Sequence, residues 1–461
     1  MKGYNYWSYT PYKPLLWEIG DIYICRIAPN KNVIHFEWLN TDDESYTVYY
    51  REKNNGEYKC AGETKDNEFD IVNLKADTDY EFFVQSGNKK SRKRIARTGE
   101  TVGTVVNYLH PEDDVYAFSG RSLCSPSMVK HPDGYWLASM DVYEAENSQN
   151  LTLIFRSDDE GESWKYVSEL MPCFWGKLFI HKNELYMLSC STEYGDLLIG
   201  KSIDGGKTFS APVSLLRGSN GKKGNVGVHK NPQNIVCYNG RIYGTLEWGS
   251  WANTEYYHAV MVMSCDVDDD LLVPENWSFS EPVKYNNEWE GVAKDGERGN
   301  IEGTLAVAPD GNLYNIMRYS TSEKLIIAYK VNTKSYDAAL EFSHVIDFPG
   351  NLSKFMIKYD EISKCYYTIA SRRTDTVDND NTGARNLLSL MTSKDLVKWE
   401  LKKDLIDKRN EDSQKVGFQY IDFEFVGNDI VFLSRTAMNN AHNFHDANYS
   451  TFHRIENFRN I

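Results

Sequence analysis

From residue 120 onward the chain repeats one pattern six times: an alternating apolar strand, a short polar turn, and a second alternating strand. The copies are MVKHPDGYWLAS, LFIHKNELYMLS, IVCYNGRIYGTL, LAVAPDGNLYNIM, FMIKYDEISKCYYTI and FEFVGNDIVFL. Alternation at a period of two turns one face of each strand toward a core. Asp-Gly, Asn-Gly or Asn-Asp between two such runs signals a tight hairpin. With turns at Asp133, Asn183, Asn239, Asp310, Asp360 and Asn428, successive units lie 50 to 71 residues apart, room for a four-stranded sheet plus loops. Six such sheets predict a ring of six blades. The segment 100–120 is expected to supply the strand that closes it, because an open ring leaves a bare sheet edge.

The first hundred residues carry shorter alternating runs: VIHFEW at 33–38, YTVYYR at 46–51 and YEFFVQS at 80–86. These predict a separate small β-sandwich. The chain is therefore read as all-β with two domains, 1–99 and 100–461, each with its own core, so that the ring should fold without the first. The N-terminal stretch resembles a fibronectin type III domain. Trp38 stands in the second-strand position, Leu74 precedes Tyr80 by six residues in the manner of that family's tyrosine corner, and RTG closes the stretch at 97–99. The stretch holds no cluster of titratable residues and is read as a spacer or docking module, with direct glycan binding as the alternative.

Composition narrows the function. A net charge of −15 over 461 residues argues against a nucleic-acid partner, which needs a basic surface. No apolar run is long enough for a membrane span. The N-terminus MKGYNYWSYTPYKP lacks the apolar core of a signal peptide, so the chain is expected in the cytoplasm as written, or secreted or periplasmic if it is a trimmed mature form. Eight cysteines without CxxC spacing read as free thiols, not a disulfide frame or a zinc site. The 31 Tyr, 20 Phe and 11 Trp suit pleated sheets and offer faces for sugar rings.

Two segments share one motif, Ser-x-Asp-x-Gly-x-(Ser/Thr)-aromatic: SDDEGESW at 157–164 and SIDGGKTF at 202–209, with a degenerate copy, SKDLVKW, at 393–399. Asp159 and Asp204 can accept backbone N–H bonds, Gly161 and Gly206 permit positive φ, and Trp164, Phe209 and Trp399 can pack beneath. These turns resemble the Asp-boxes of the sialidase family, which implies a six-bladed β-propeller following the fibronectin-like module.

In a propeller blade the first hairpin strand is innermost, so residues equally far before each turn should meet at one mouth of the ring. Eight positions back stand Ser125, Trp175, Asn231, Glu302, Leu352 and Tyr420. Eight forward stand Asp141, Ser191, Glu247, Arg318, Thr368 and Thr436, the last adjacent to Arg435. The sialidase resemblance implies roles for several of these. Tyr420 corresponds to the nucleophile and Glu302 to its base. A phenol attacks poorly unless a carboxylate takes its proton, and a neutral nucleophile does not repel an anionic sugar. Arg318 and Arg385 match two members of the carboxylate-binding arginine triad. The third, expected on the first blade, is replaced by Cys124, and Arg121 is the candidate substitute. Asp141, in a loop that also holds Glu144 and Glu146, is the expected acid.

Other groups compete. His229 begins the third inner strand near Glu247 and could act as acid or base. Trp175, Glu247 and Arg435 are candidate substrate contacts at the mouth, and Lys354 is a further anion-binding candidate. His442, His445, His453 and Asp446 have a weak metal-like spacing and are read as loop packing. The acidic tracts at 266–270 and 375–381 read as solvated turns. The resulting expectation is a sialidase-type glycoside hydrolase that releases a terminal acidic sugar from a glycan, with no cofactor or metal. The alternatives are a lyase or hydrolase of a uronate- or rhamnose-containing polysaccharide using His229, and a carbohydrate-binding propeller without catalysis.

Overall fold

The computed structural model describes residues 21–39, 45–219, 224–294, 299–374 and 384–461. The acidic tract at 375–381 and the N-terminal fourteen residues lie outside them. No described helix is long and apolar enough to cross a membrane.

Six antiparallel sheets follow one another along the chain. The first runs Ser122–Lys130, Trp136–Tyr143, Leu151–Ser157, Lys165–Leu170. The second is Phe174–His181, Glu184–Cys190, Leu197–Ser202, Val213–Leu216; the fourth is Asn300–Val307, Leu313–Tyr319, Leu325–Lys330, Glu341–Asp347. The fifth is Ile357–Asp360, Cys365–Ser371, Leu387–Ser393, Glu400–Asp407. In the third sheet the inner strand is broken: Gly227–His229 and Val236–Tyr238 both pair with Arg241–Gly249, followed by Ala259–Asp266 and Trp277–Phe279. The sixth, Gly417–Val426, Asp429–Ala437, Tyr449–Ile455, is completed by Thr104–Tyr108, so the expected closing strand is in place.

Hydrogen bonds between successive sheets close the ring. Leu178 N donates to Ser127 Oγ at 3.0 Å, and Lys230 Nζ donates to the Trp175 carbonyl. Asn234 Nδ2 donates to Leu305 O at 2.9 Å, and Ile357 N to Thr304 Oγ1 at 3.2 Å. Lys354 Nζ donates to Ile421 O at 2.9 Å, and Met128 N to Asp422 Oδ2 at 2.9 Å, joining the sixth sheet to the first. At one end a cavity of about 930 Å³ is lined by Val129, Ile180, Val236, Val307, Tyr359 and Phe425, one residue from each inner strand. The architecture is a six-bladed β-propeller.

The three Ser-x-Asp turns join the third and fourth strands of the first, second and fifth blades. Asp159 Oδ1 accepts from Ser163 N at 2.9 Å and Ser157 Oγ accepts from Gly161 N at 2.8 Å; Asp204 and Ser202 repeat this with Thr208 and Gly206, both at 2.9 Å. In the third copy Leu396, buried and at φ 66°, takes the glycine's place. Trp164 and Phe209 are buried beneath their turns; Trp399, expected to be buried, is only partly covered.

Residues 21–39 and 45–99 form two packed sheets, Ile24–Pro29, Ile34–Trp38, Glu68–Ile71 against Lys59–Thr64, Tyr46–Glu52, Asp79–Ser86, with Lys89–Lys90 and Arg94–Arg97 both on the last. Lys75 N donates to Tyr80 Oη at 2.9 Å. The expectation of separate cores is corrected here. Tyr23 and Cys25 pack in one cluster with Met128, Trp136 and Trp164 of the first blade, and Tyr108, Met438 and Tyr449 of the sixth pack with Trp38 and Phe82. Polar contacts seal the seam: Tyr23 Oη donates to Glu169 Oε2 at 2.8 Å, and Arg26 Nε to Val106 O at 2.8 Å. The first module buttresses the ring, with Ile24–Pro29 bonded to the closing strand through Arg26 Nη2 to Val105 O at 3.1 Å and Ile27 N to Asn107 Oδ1 at 3.2 Å.

Candidate active site

At four of the six inner strands the position eight residues before the turn has left-handed backbone: Ser125 (φ 47°), Trp175 (φ 53°), Glu302 (φ 58°) and Tyr420 (φ 57°). Each sits in a register shift, between Cys124 and Ser127, Phe174 and Lys177, Ile301 and Gly303, and Gln419 and Asp422. A bulge with one left-handed residue breaks the strict in-out alternation of a strand and re-aims that side chain. Two of these residues meet: Tyr420 Oη donates to Glu302 Oε1 at 2.5 Å. Arg318 Nη1 donates to Glu302 Oε2 at 2.6 Å and lies 3.3 Å from Tyr420 Oη.

The charges set the protonation states. Burial pushes the Glu302 carboxyl up, but Arg318, the Tyr420 hydroxyl and His229 outweigh it and hold it below its ordinary value. Burial, reinforced by Glu302, pushes the Tyr420 phenol up to about 12. Near neutrality the pair is therefore a carboxylate accepting from a neutral phenol, the arrangement in which a base can take the proton as the oxygen attacks.

Two more guanidiniums flank the phenol. Arg385 lies 5.9 Å and Arg435 5.0 Å from the Tyr420 ring centroid. Arg385 donates to Gln419 Oε1 and, at 3.0 Å, to the Leu352 carbonyl; Arg435 donates to the His445 carbonyl. Burial and the neighbouring Arg318 lower Arg385 to about 9. Arg318, Arg385 and Arg435 each keep a buried Nε without a partner. Arg318, 11% exposed, and the buried Arg385 and Arg435 thus surround Glu302 and Tyr420, with the Asp446 carboxylate, paired with His445, acting on Arg435. Arg435, on the sixth blade, also lies 5.6 Å from the centroid of the Tyr143 ring of the first.

Glu247 connects a second group to this one. Its Oε2 is 2.6 Å from His229 Nδ1, while its Oε1 accepts from Glu302 N at 2.9 Å and so anchors the bulge. The His229 ring is enclosed by Trp175 (4.5 Å between centroids), Tyr194 (6.0 Å), Trp251 (6.1 Å) and His258 (4.6 Å). The sequence reading missed Gln419, Tyr194, Trp251 and His258; the aromatic pair in LEWGSW was the available signal.

Several expectations are corrected. Asp141 is 0% exposed, with Oδ1 accepting from Thr152 Oγ1 at 2.5 Å and Oδ2 from Trp175 N at 2.7 Å. Sealed behind the Trp175 bulge, it offers no proton at the mouth, and burial raises it to about 7. Arg121 is 43% exposed and pairs with Glu144 at 3.5 Å, outside the arginine cluster. Glu247, 1% exposed with both oxygens engaged, supports other residues and does not face substrate. Lys354 is buried within the ring, not at the mouth, and burial lowers it to about 7. Leu352 precedes the short fifth inner strand, whose Ile357 is the one paired with Thr368. His445 bonds Asp446 at 2.8 Å beside Arg435 and His453 stacks on Phe432 at 4.6 Å, packing of the kind read from the sequence and no correction to it. Among the described residues His35, Glu37 and Glu68 are the one grouping of metal-ligating type, and Arg26 and Lys165 already pair with it.

No family model matches the chain, and no curated protein matches it. Among solved structures, a protein of unknown function from Dyadobacter fermentans DSM 18053 superposes with a TM-score of 0.50 at 11% identity, over 77% of this chain and 98% of that one. A Penicillium chrysogenum alpha-L-arabinanase superposes at 0.49 with 13% identity, over 78% and 99% of the two chains. The leech intramolecular trans-sialidase superposes at 0.49 with 9% identity, over 94% of each. At 11% identity the likeness to the Dyadobacter fermentans protein is one of fold alone.

Proposed function

We propose that this protein is a retaining glycoside hydrolase that releases a terminal acidic sugar from a glycan, with Tyr420 as nucleophile. The observation that carries this reading is the 2.5 Å bond from Tyr420 Oη to Glu302 within the Arg318, Arg385, Arg435 cluster. The arginines bind the sugar carboxylate, Glu302 accepts the phenol proton, and Tyr420 attacks the anomeric carbon. Preorganised charge at the carboxylate fixes the ring over the nucleophile. The turns at 157–164, 202–209 and 393–399 act as Asp-boxes that staple outer strands. The N-terminal module is fibronectin type III-like, a reading supported by the Lys75 to Tyr80 corner.

The test is a panel of 4-methylumbelliferyl glycosides of acidic sugars (N-acetylneuraminate, ketodeoxyoctulosonate, glucuronate) and neutral ones (fucose, rhamnose, arabinofuranose). Cleavage confined to acidic members supports the reading, as does mass-spectrometric trapping of a fluorinated acidic glycosyl group on Tyr420. Preference for a neutral sugar, or an unsaturated uronate product absorbing in the ultraviolet, overturns it.

A further inference from the structure

The proposed reaction needs a proton for the departing oxygen, and the residue expected to give it, Asp141, is sealed from solvent with both oxygens occupied. Glu302 cannot serve, since it takes the proton of Tyr420. We propose that His229 is the general acid and base of this site, held in place by Glu247.

Three observations carry this. The 2.6 Å contact between His229 Nδ1 and Glu247 Oε2 fixes the ring and makes Nδ1 the internally bonded nitrogen. The His229 side chain is 2% exposed, and among the described residues no hydrogen bond engages its Nε2. The same Glu247 grips the backbone of Glu302, at 2.9 Å to its N and 3.4 Å to that of Gly303, so one carboxylate sets both the acid and the base of the nucleophile.

The step balances without a cofactor. As Tyr420 Oη bonds to the anomeric carbon and gives its proton to Glu302, the glycosidic C–O electron pair moves to the leaving oxygen, which takes the proton from His229 Nε2. In the second half neutral His229 takes a proton from water, the water oxygen bonds to the anomeric carbon, and the tyrosyl C–O bond breaks. The phenolate then recovers its proton from Glu302. Glu247 acts through His229 and is a positioning residue.

The proposal rests on the tyrosine reading, and the experiment separates the two. An acid is indispensable for an alkoxide leaving group and nearly dispensable for an aryl one. kcat/KM is measured for wild type, His229→Ala, His229→Gln and Glu247→Gln on the 4-methylumbelliferyl glycoside of the acidic sugar that the wild type cleaves, and on the same sugar linked to lactose. We expect both His229 variants to lose about 10²- to 10⁴-fold on the lactose-linked substrate and less than about tenfold on the aryl one. Glu247→Gln should show the same contrast at smaller amplitude. Because each variant is its own control, a folding defect lowers both substrates together. Equal losses on both substrates by His229→Gln with a wild-type thermal midpoint overturn the role of His229 and leave the tyrosine reading standing. A wild type that cleaves no acidic aryl glycoside overturns both.

Discussion

Glu302 and Tyr420 are 118 residues apart in the chain, share nearly the same left-handed backbone (φ 58° and 57°), and meet through a single 2.5 Å hydrogen bond. A non-glycine residue in that region costs about 1–2 kcal/mol, and such strain persists only where the surroundings hold it. Glu247 is the holder for Glu302, and Asp141 plays the equivalent part for the Trp175 bulge.

If Tyr420 is the nucleophile, Tyr420→Phe removes only the attacking oxygen. Turnover should fall by about 10³-fold or more, with the thermal midpoint close to wild type. Glu302→Gln should reproduce the rate loss. Steady-state kinetics beside calorimetry decides it, and near-normal turnover by Tyr420→Phe removes the tyrosine mechanism.

Arg385 tests substrate charge. Arg385→Met keeps the bulk of the side chain and removes a cation already crowded by Arg318 and Arg435. Binding of a free acidic sugar, read by titration calorimetry, should weaken by about 2–5 kcal/mol, while binding of its neutral methyl ester, already weak, changes little.

The two complete Ser-x-Asp turns should respond differently to one substitution. Both glycines have positive φ, 95° at Gly161 and 85° at Gly206. A methyl at Gly161 would run into the Phe452 ring, whereas at Gly206 the nearest atom, Leu137 Cδ1, is 3.5 Å away. Gly206→Ala should cost about 1 kcal/mol from backbone strain alone, and Gly161→Ala about 3 kcal/mol or more, in denaturant unfolding.

Burial pushes Glu169 up to about 7, against donors from Tyr23 and Tyr166. From about pH 4.5 to 7 the folded protein holds a proton that the unfolded chain has released, so this group's contribution to stability falls as pH rises through that window. Glu169→Gln removes that slope. Measured against wild type, the variant should gain stability between pH 5 and pH 8, by on the order of 3 kcal/mol at most. A constant difference across the range would contradict the assignment.

Deleting residues 1–99 should destabilise the propeller, because Tyr23 and Cys25 complete the first-blade core and the Arg26 bonds to the closing strand are lost. A broadened, less cooperative calorimetric transition is expected. A sharp transition at the wild-type midpoint would restore the view of independent cores.

The amino-acid order alone determined the six hairpins, the placement of the Ser-x-Asp turns and the convergence of Glu302, Arg318 and Tyr420, because period-two alternation and turn chemistry are local and repeat with the blade. Arg435 was legible at the mouth, but Gln419 was unreadable as the partner of Arg385, and the bulges that aim Trp175 and Glu302 gave no local mark. Burial decided the rest. Asp141 and Glu247 look alike in sequence as mouth acids, yet both are walled in as props behind neighbouring strands. The N-terminal sheets share the ring's core although their own pattern is self-sufficient. Which side of a strand meets solvent, and which glycine touches Phe452, depend on packing between segments far apart in the chain, which no local pattern encodes.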